Sequence, residues 1–316
     1  MTFGLQTFVK GTSYDVVNSM DFNFVFDIFN ANAGSGSRSY NNLPSCSFEL
    51  VPISNLASTG SRTFSFSQSG KTVTWSSSTA VKVAVIATPK VGAEFPENNF
   101  GFRYYKNKIP YLSPNFVPFS LVQVLNVTPS TGAIIRTNVP AGKNVLVFHR
   151  GVSGIDDFWY TETTQAGFVA LDVAFSRENT PARIYVFAQY LVNVPEHGFF
   201  MYRKGEMVWH SKCLPLRLQV INVPEDSFVV RKNTPMAIMS TVSGNLNLQL
   251  GGSGYRRIFT APAAGWSGTQ YEASTMGYRY INDIMSGSPP GGWRMPYVGY
   301  IDTAIYDQYY KSALGY

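Results

Sequence analysis

The chain has 316 residues, 45 % of them hydrophobic and 15 % aromatic but only 14 % charged, with a formal net charge of +6. That apolar share supports real cores and argues against intrinsic disorder, and the length suits two or three domains. The sequence has no apolar run of 18 residues, no basic-then-apolar leader, only two cysteines and no clustered basic stripe, so it is expected to lack a membrane-spanning helix, a secretory signal, a disulfide framework and a nucleic-acid footprint.

The first expected element is a hairpin. A strand over 3–9 turns at Lys10-Gly11 and returns through Tyr14 and Val16. Next comes a strand in which Phe22, Phe24, Phe26 and Ile28 share one face, because strand side chains alternate with period two. The Gly/Ser-rich stretch 30–41 reads as a flexible surface loop. Strands follow over 62–67 and 72–76, across a Ser69-Gly70 turn, and over 80–87. The middle of the chain offers strands over 133–137, 145–149, 167–175 and 183–190. Farther on, Leu214, Leu216, Leu218 and Val220 alternate with Pro215, Arg217 and Gln219, and strands are expected over 226–231, 236–242 and 246–250. No amphipathic helix of twelve residues is expected, only short helical turns over 155–158 or 269–282.

One pattern recurs three times. Phe3-Gly4-Leu5 has counterparts at Phe100-Gly101-Phe102 and His197-Gly198-Phe199, which places Gly4, Gly101 and Gly198 in steps of 97 residues. Lys10-Gly11, Asn107-Lys108 and Lys204-Gly205 keep that step. The string at 123–127 differs from that at 219–223 only by Leu125 against Ile221, and Asn30, Asn126 and Asn222 lie 96 apart. Many short strands with turns every few residues predict antiparallel β-sandwiches. The expected fold is all-β: three tandem antiparallel sandwiches, immunoglobulin-like or related, over 1–97, 98–195 and 196–316. Short proline-bearing joints at Pro96-Glu97 and Pro195-Glu196 predict stiff connections.

No catalytic constellation is complete in the sequence. Gly151-Val152-Ser153-Gly154-Ile155 lacks the last glycine of a nucleophile elbow, and Gly70-Lys71-Thr72 sits in a hairpin rather than before a helix. His149, His197 and His210 show no metal spacing, and His210 with Cys213 reads as structural. Cys46 and Cys213 read as buried free thiols. Asp156-Asp157 could be half of a glycosidase pair, but adjacent acids in a glycine-flanked loop are expected to be solvated. The expectation is a protein that is not an enzyme and holds no cofactor or metal. The aromatic C-terminal region supplies the candidate contact residues for a partner protein or glycan: Trp266, Tyr271, Tyr278, Tyr280, Trp293, Tyr306, Tyr309, Tyr310 and Tyr316. The stretch 306–316 is the candidate docking tail.

The Phe3-Gly4-Leu5 opening, the hairpin after it and the aromatic strand over 22–28 resemble small tail-fibre and tail-tip proteins of tailed bacteriophages. The match touches about 30 residues of each unit, with His197 replacing phenylalanine in the third, and carries over no catalytic residue. The resemblance implies a virion structural component at the host-facing end of a tail, made in the host cytoplasm. Its implied partners are other tail proteins, further copies of itself in threefold or sixfold arrangement, and a host-surface glycan or protein. A free-standing carbohydrate-binding array and a head-decoration protein are the alternatives.

Overall fold

Alternating apolar and polar residues set most of the strand faces, and the fold is all-β with antiparallel sheets. The structure is a computed structural model that describes residues 6–9, 11–19, 24–53, 63–96, 103–114, 117–176, 180–222, 229–241, 244–250, 254–286, 293–294 and 297–316. The Phe3-Gly4 and Phe100-Gly101 pairs lie outside those residues.

After a single helical turn, α1 (Val16–Ser19), the first stretch contains β1 (Phe24–Ala31), β2 (Gly34–Ser39), β3 (Cys46–Pro52), β4 (Phe64–Ser69), β5 (Thr72–Ser77) and β6 (Val81–Pro89). They form two three-stranded sheets, β1-β6-β3 and β2-β5-β4. A hairpin, β7 (Tyr104–Lys106) and β8 (Ile109–Leu112), opens the second stretch. There follow β9 (Ser120–Val127), β10 (Ile134–Pro140), β11 (Val145–Gly151), β12 (Ile155–Gln165), β13 (Phe168–Ser176) and β14 (Ala182–Ala188). A second hairpin, β15 (Phe200–Arg203) and β16 (Glu206–His210), opens the third. It continues through β17 (Gln219–Asn222), β18 (Val229–Lys232), β19 (Met236–Met239), β20 (Gly244–Leu250), β21 (Gly254–Trp266), β22 (Tyr271–Ser286), β23 (Trp293–Arg294) and β24 (Tyr297–Asp302), and ends in helix α2 (Ala304–Leu314).

One strand order recurs. The first, last and third strands pair as β1-β6-β3, β9-β14-β11 and β17-β24-β19. The second, fifth and fourth pair as β2-β5-β4 and β10-β13-β12, and β18-β22-β21 follows the same rule once β20 and β23 are set aside. The two hairpins also match. Each turns on two residues with positive φ, Asn107 (53°) and Lys108 (62°) in one, Lys204 (51°) and Gly205 (82°) in the other. That geometry suits the twist of the flanking strands. Each has a register shift at the same distance from its turn, Tyr104/Tyr105 and Met201/Tyr202.

Proline-bearing joints are only part of what connects these stretches. β11 pairs with β19 through Phe148↔Met239 and His149↔Ile238, and β12 pairs with β21 through Ile155↔Gly265 to Asp157↔Ala263. A sheet edge is a row of open hydrogen-bonding groups, and here the two edges satisfy each other. Strand pairing therefore crosses the boundary drawn at 195/196. One six-stranded sheet runs β17-β24-β19-β11-β14-β9, and an eight-stranded sheet faces it. Close backbone approach demands glycine at the seam: a Cβ on Gly265 would stand 1.8 Å from the Gly154 carbonyl oxygen, and one on Gly151 would stand 2.1 Å from it.

The six-stranded sheet is buried on both faces. In β14, Ile184, Val186 and Ala188 point into the core between the two sheets, while Tyr185 and Phe187 join a second core on the other side. Two-sided burial explains why this strand is a continuous apolar run without alternation. Residues 214–222 border both edges of the sheet. Leu121 donates its N–H to the Leu214 carbonyl at 2.8 Å, Leu216 donates to the Phe119 carbonyl at 2.7 Å, and Gln219 to Asn222 then pair with β24.

Helix α2 covers the second face, so residues 306–316 are not a free tail. Tyr306 is fully buried; its hydroxyl accepts the Arg217 N–H at 2.8 Å and donates to the Pro215 carbonyl at 2.9 Å. Asp307 accepts hydrogen bonds from Arg183 Nη1 and the Tyr185 hydroxyl, both at 2.6 Å, and from Arg150 Nη2 at 3.1 Å. The helix ends at Gly315 in the left-handed region (φ 81°), whose N–H returns to the Lys311 carbonyl. The segments 155–158 and 269–282, expected as helical turns, fall mainly in β12 and β22, because their turn signals are outweighed by strand partners on both sides.

The stretch 30–41 is not a loop over most of its length. Gly34–Ser39 is strand β2, paired with β5 over its whole length. Gly36 is small because Trp75 lies over it: an added Cβ would meet the indole Cζ2 at 2.3 Å. Trp75 in turn packs against Phe29 of the other sheet, ring centroids 4.9 Å apart.

Candidate contact surfaces

Of the nucleophilic and basic side chains that drew attention in the sequence, both thiols, His149 and His210 are folded away, while Ser153 and His197 are exposed. Cys46 and Cys213 are buried free thiols, and burial pushes both up to about 12. His210 is held from both nitrogens: Nε2–H donates to the Val192 carbonyl at 3.1 Å and Nδ1 accepts the Lys212 N–H at 3.3 Å. Asp156 and Asp157 are buried rather than solvated, at 0 % and 1 % exposure, because the seam with β21 closes over them. Among the described residues, no group of three or more His, Cys, Asp or Glu side chains is placed to hold a metal ion.

His149 sits at the same seam, fully buried. Its Nε2–H donates to the Asp156 carbonyl at 3.2 Å, and Nδ1 accepts the Ser240 hydroxyl at 2.8 Å. Burial holds the imidazole down at about 3, opposed in part by the bond to Asp156. The unfolded chain takes up this proton near 6.5 and the folded chain does not. Stability is therefore full above that point and declines as pH falls toward 3. From about pH 7.5 to about pH 5, a loss of about 2 kcal/mol is expected from this group, and His210, also lowered by burial, adds in the same direction. Urea midpoints across that range should fall in the parent chain and less steeply in His149→Gln; a flat parent profile contradicts the assignment.

The aromatic candidates separate into groups. Trp266 and Tyr271 meet edge to face at 5.0 Å where β21 turns into β22, with Trp266 39 % exposed. The turn closes through the Ser267 N–H to the Gln270 carbonyl at 2.9 Å. Tyr278 and Tyr280 lie in β22 and Trp293 in β23, with side chains outside the described set. Tyr306 belongs to the core. Tyr309 stacks on Tyr14 at 4.7 Å, and Tyr310 lies beneath the Arg183 guanidinium, 5.6 Å from its centre, and beside Tyr316 at 6.2 Å. Tyr316 is 67 % exposed. Among the candidates with described side chains, two accessible aromatic points remain: the Trp266–Tyr271 tip and the helix end at Tyr310–Tyr316.

Two further surfaces escaped the sequence reading. A cleft of about 440 Å³ lies where the three stretches meet, with Asp27, Lys143, Gln189, Arg203 and Glu206 among its walls. Its charges are mixed and no single ligand chemistry follows. The second is the outer face of β2-β5-β4, where every outward position is serine or threonine. Strict alternation of Ser65, Ser67 and Ser69, of Thr72, Thr74 and Ser76, and of Ser35, Ser37 and Ser39 is the signal that reveals it.

Comparison with protein-family models, with curated proteins and with solved structures finds no match to this chain. Among the described residues, no helix is long and apolar enough to cross a membrane.

Proposed function

We propose that the chain is a non-enzymatic structural component of a phage tail tip or tail fibre, assembling with other virion proteins and taking part in host attachment. The observation that carries this reading is the pair of sheets running through residues 120–302, which makes two of the three stretches one stiff body. Strand pairing that runs continuously across two stretches suits a scaffold that must hold a fixed geometry under load. Burial of the thiols, of His149 and of the Asp156-Asp157 pair is in keeping with structural rather than chemical roles for them. The test is composition of purified particles: the chain should be found in intact virions at a copy number that is a multiple of three, and antibody labelling should place it at the tail. A chain absent from particles and monomeric at every concentration overturns the reading.

A further inference from the structure

We propose that the outer face of the β2-β5-β4 sheet binds an extended, neutral, polyhydroxylated chain: a glycan without acidic groups. The inference deepens the host-attachment part of the proposed function and rests on it only for biological setting. Cross-strand register arranges nine hydroxyl side chains in three rows, Ser35–Ser76–Ser65, Ser37–Thr74–Ser67 and Ser39–Thr72–Ser69. Neighbours repeat at about 6.7 Å along each strand, two residues apart, and at about 4.8 Å between strands. All nine are exposed except Thr72, which is half-buried. Six of them line a shallow depression of about 510 Å³.

Each hydroxyl both donates and accepts. Two pairs already bond each other, Ser67 with Thr74 and Ser39 with Thr72, each at 2.7 Å. Either oxygen of each pair can donate, and each hydroxyl keeps further hydrogen-bonding capacity for a ligand. The nine positions carry no charge, and the nearby cations are engaged elsewhere. Lys71 Nζ donates to the Leu43 carbonyl at 2.5 Å and the Asn41 carbonyl at 3.2 Å, and Arg38 pairs with Asp27 at 2.9 Å.

Charge complementarity selects the partner. An acidic ligand finds no counter-charge here, and an apolar one strands hydroxyls that water had satisfied. A neutral ligand bearing its own row of hydroxyls meets both conditions. The composition is also hard to explain by folding. Exposed strand faces gain stability from threonine, β-branched and aromatic residues or from cross-strand ion pairs, and edge strands are usually guarded by charge. Seven serines and an uncharged edge strand, β4, forgo those gains.

The full chain, applied to an array of neutral hexose, deoxyhexose and N-acetylhexosamine oligosaccharides beside sialylated and sulfated ones, should be retained by neutral members. Thr74→Lys and, separately, Ser37→Val with Thr74→Val should weaken that retention at least about tenfold while thermal midpoints hold. A silent neutral set, retention confined to acidic sugars, or retention unchanged in the variants overturns the proposal. Light scattering covers the competing occupant: a dimer that Thr74→Lys dissolves would make this face a self-interface and also overturn it. None of these outcomes touches incorporation into particles, so the scaffold reading stands or falls separately.

Discussion

Asp307→Ala is expected to lower the unfolding free energy by about 2–4 kcal/mol and to free helix α2 from the sheet. The Asp307 carboxylate accepts from Arg183, Tyr185, Arg150 and Thr303, which reach it from β14, β11 and the start of its own helix. The Arg150 side chain is only 12 % exposed and Tyr185 is fully buried. Removing the carboxylate leaves two guanidinium groups and a phenol facing an unbalanced pocket. The lost attraction matters less than the stranded cations, which is why truncating one partner of a buried pair costs more than the pair itself contributes. The cluster is about one-fifth exposed on the Asp307 and Arg183 side, which places the cost below that of a fully buried pair. Asp307→Asn keeps the shape and one acceptor, and should fall between the alanine variant and the parent. Denaturant unfolding with limited proteolysis near residue 303 reads both effects. An alanine variant within about 0.5 kcal/mol of the parent, with the helix still protected, contradicts the anchoring role.

Leu218→Asp should cost roughly 4 kcal/mol or more, and Arg217→Asp less than about 1 kcal/mol. Leu218 is 2 % exposed and lies over Gly299 of β24 beside Met239; a Cβ on Gly299 would come within 2.7 Å of Leu218 Cδ1 and 2.8 Å of Met239 Cε. A carboxylate there has neither water nor a cation. Arg217 is half-buried, and its backbone N–H keeps the bond to Tyr306 whatever the side chain. Because residues 214–222 border both edges of the six-stranded sheet, Leu218→Asp should destabilise residues 120–222 together with 229–302 in one transition rather than releasing the last stretch alone. Separate transitions for the two stretches, or equal costs for the two substitutions, would show that the assigned faces or the shared sheet are wrong.

Most strands were legible. The expected strands over 72–76, 80–87, 133–137, 145–149 and 183–190 coincide with β5, β6, β10, β11 and β14 to within a few residues. Turns were legible for a similar reason: Gly70, Gly205 and Asn107 take the positive φ that their residue types tolerate. Other segments were not: no strand was expected over β3, β21 or β24, and parts of β12 and β22 read as helical turns. Residues 34–39 are small and polar and carry no hydrophobic face, so nothing local distinguishes a strand from a tether; the pairing partner β5 and the Trp75 ring over Gly36 make it a strand. Residues 304–314 hold three tyrosines and only a weak apolar stripe, and the helix is fixed by the buried Tyr306 and the Asp307 cluster.

Strand periodicity, turn chemistry and the 97-residue step are properties of neighbouring residues and of spacing, so the order of side chains along the chain was enough to establish an all-β protein with a recurring pattern. Which edges join is a property of surfaces brought together from distant segments. The pairing of β11 with β19 and of β12 with β21, the burial of Asp156 and Asp157 beneath that seam, and the assembly of nine hydroxyls from three separate strands exist only once the backbone groups of open edges have found partners. Unpaired edge groups are costly to leave buried, and that long-range requirement, which no local stretch encodes, decided how the second and third stretches came to share their sheets.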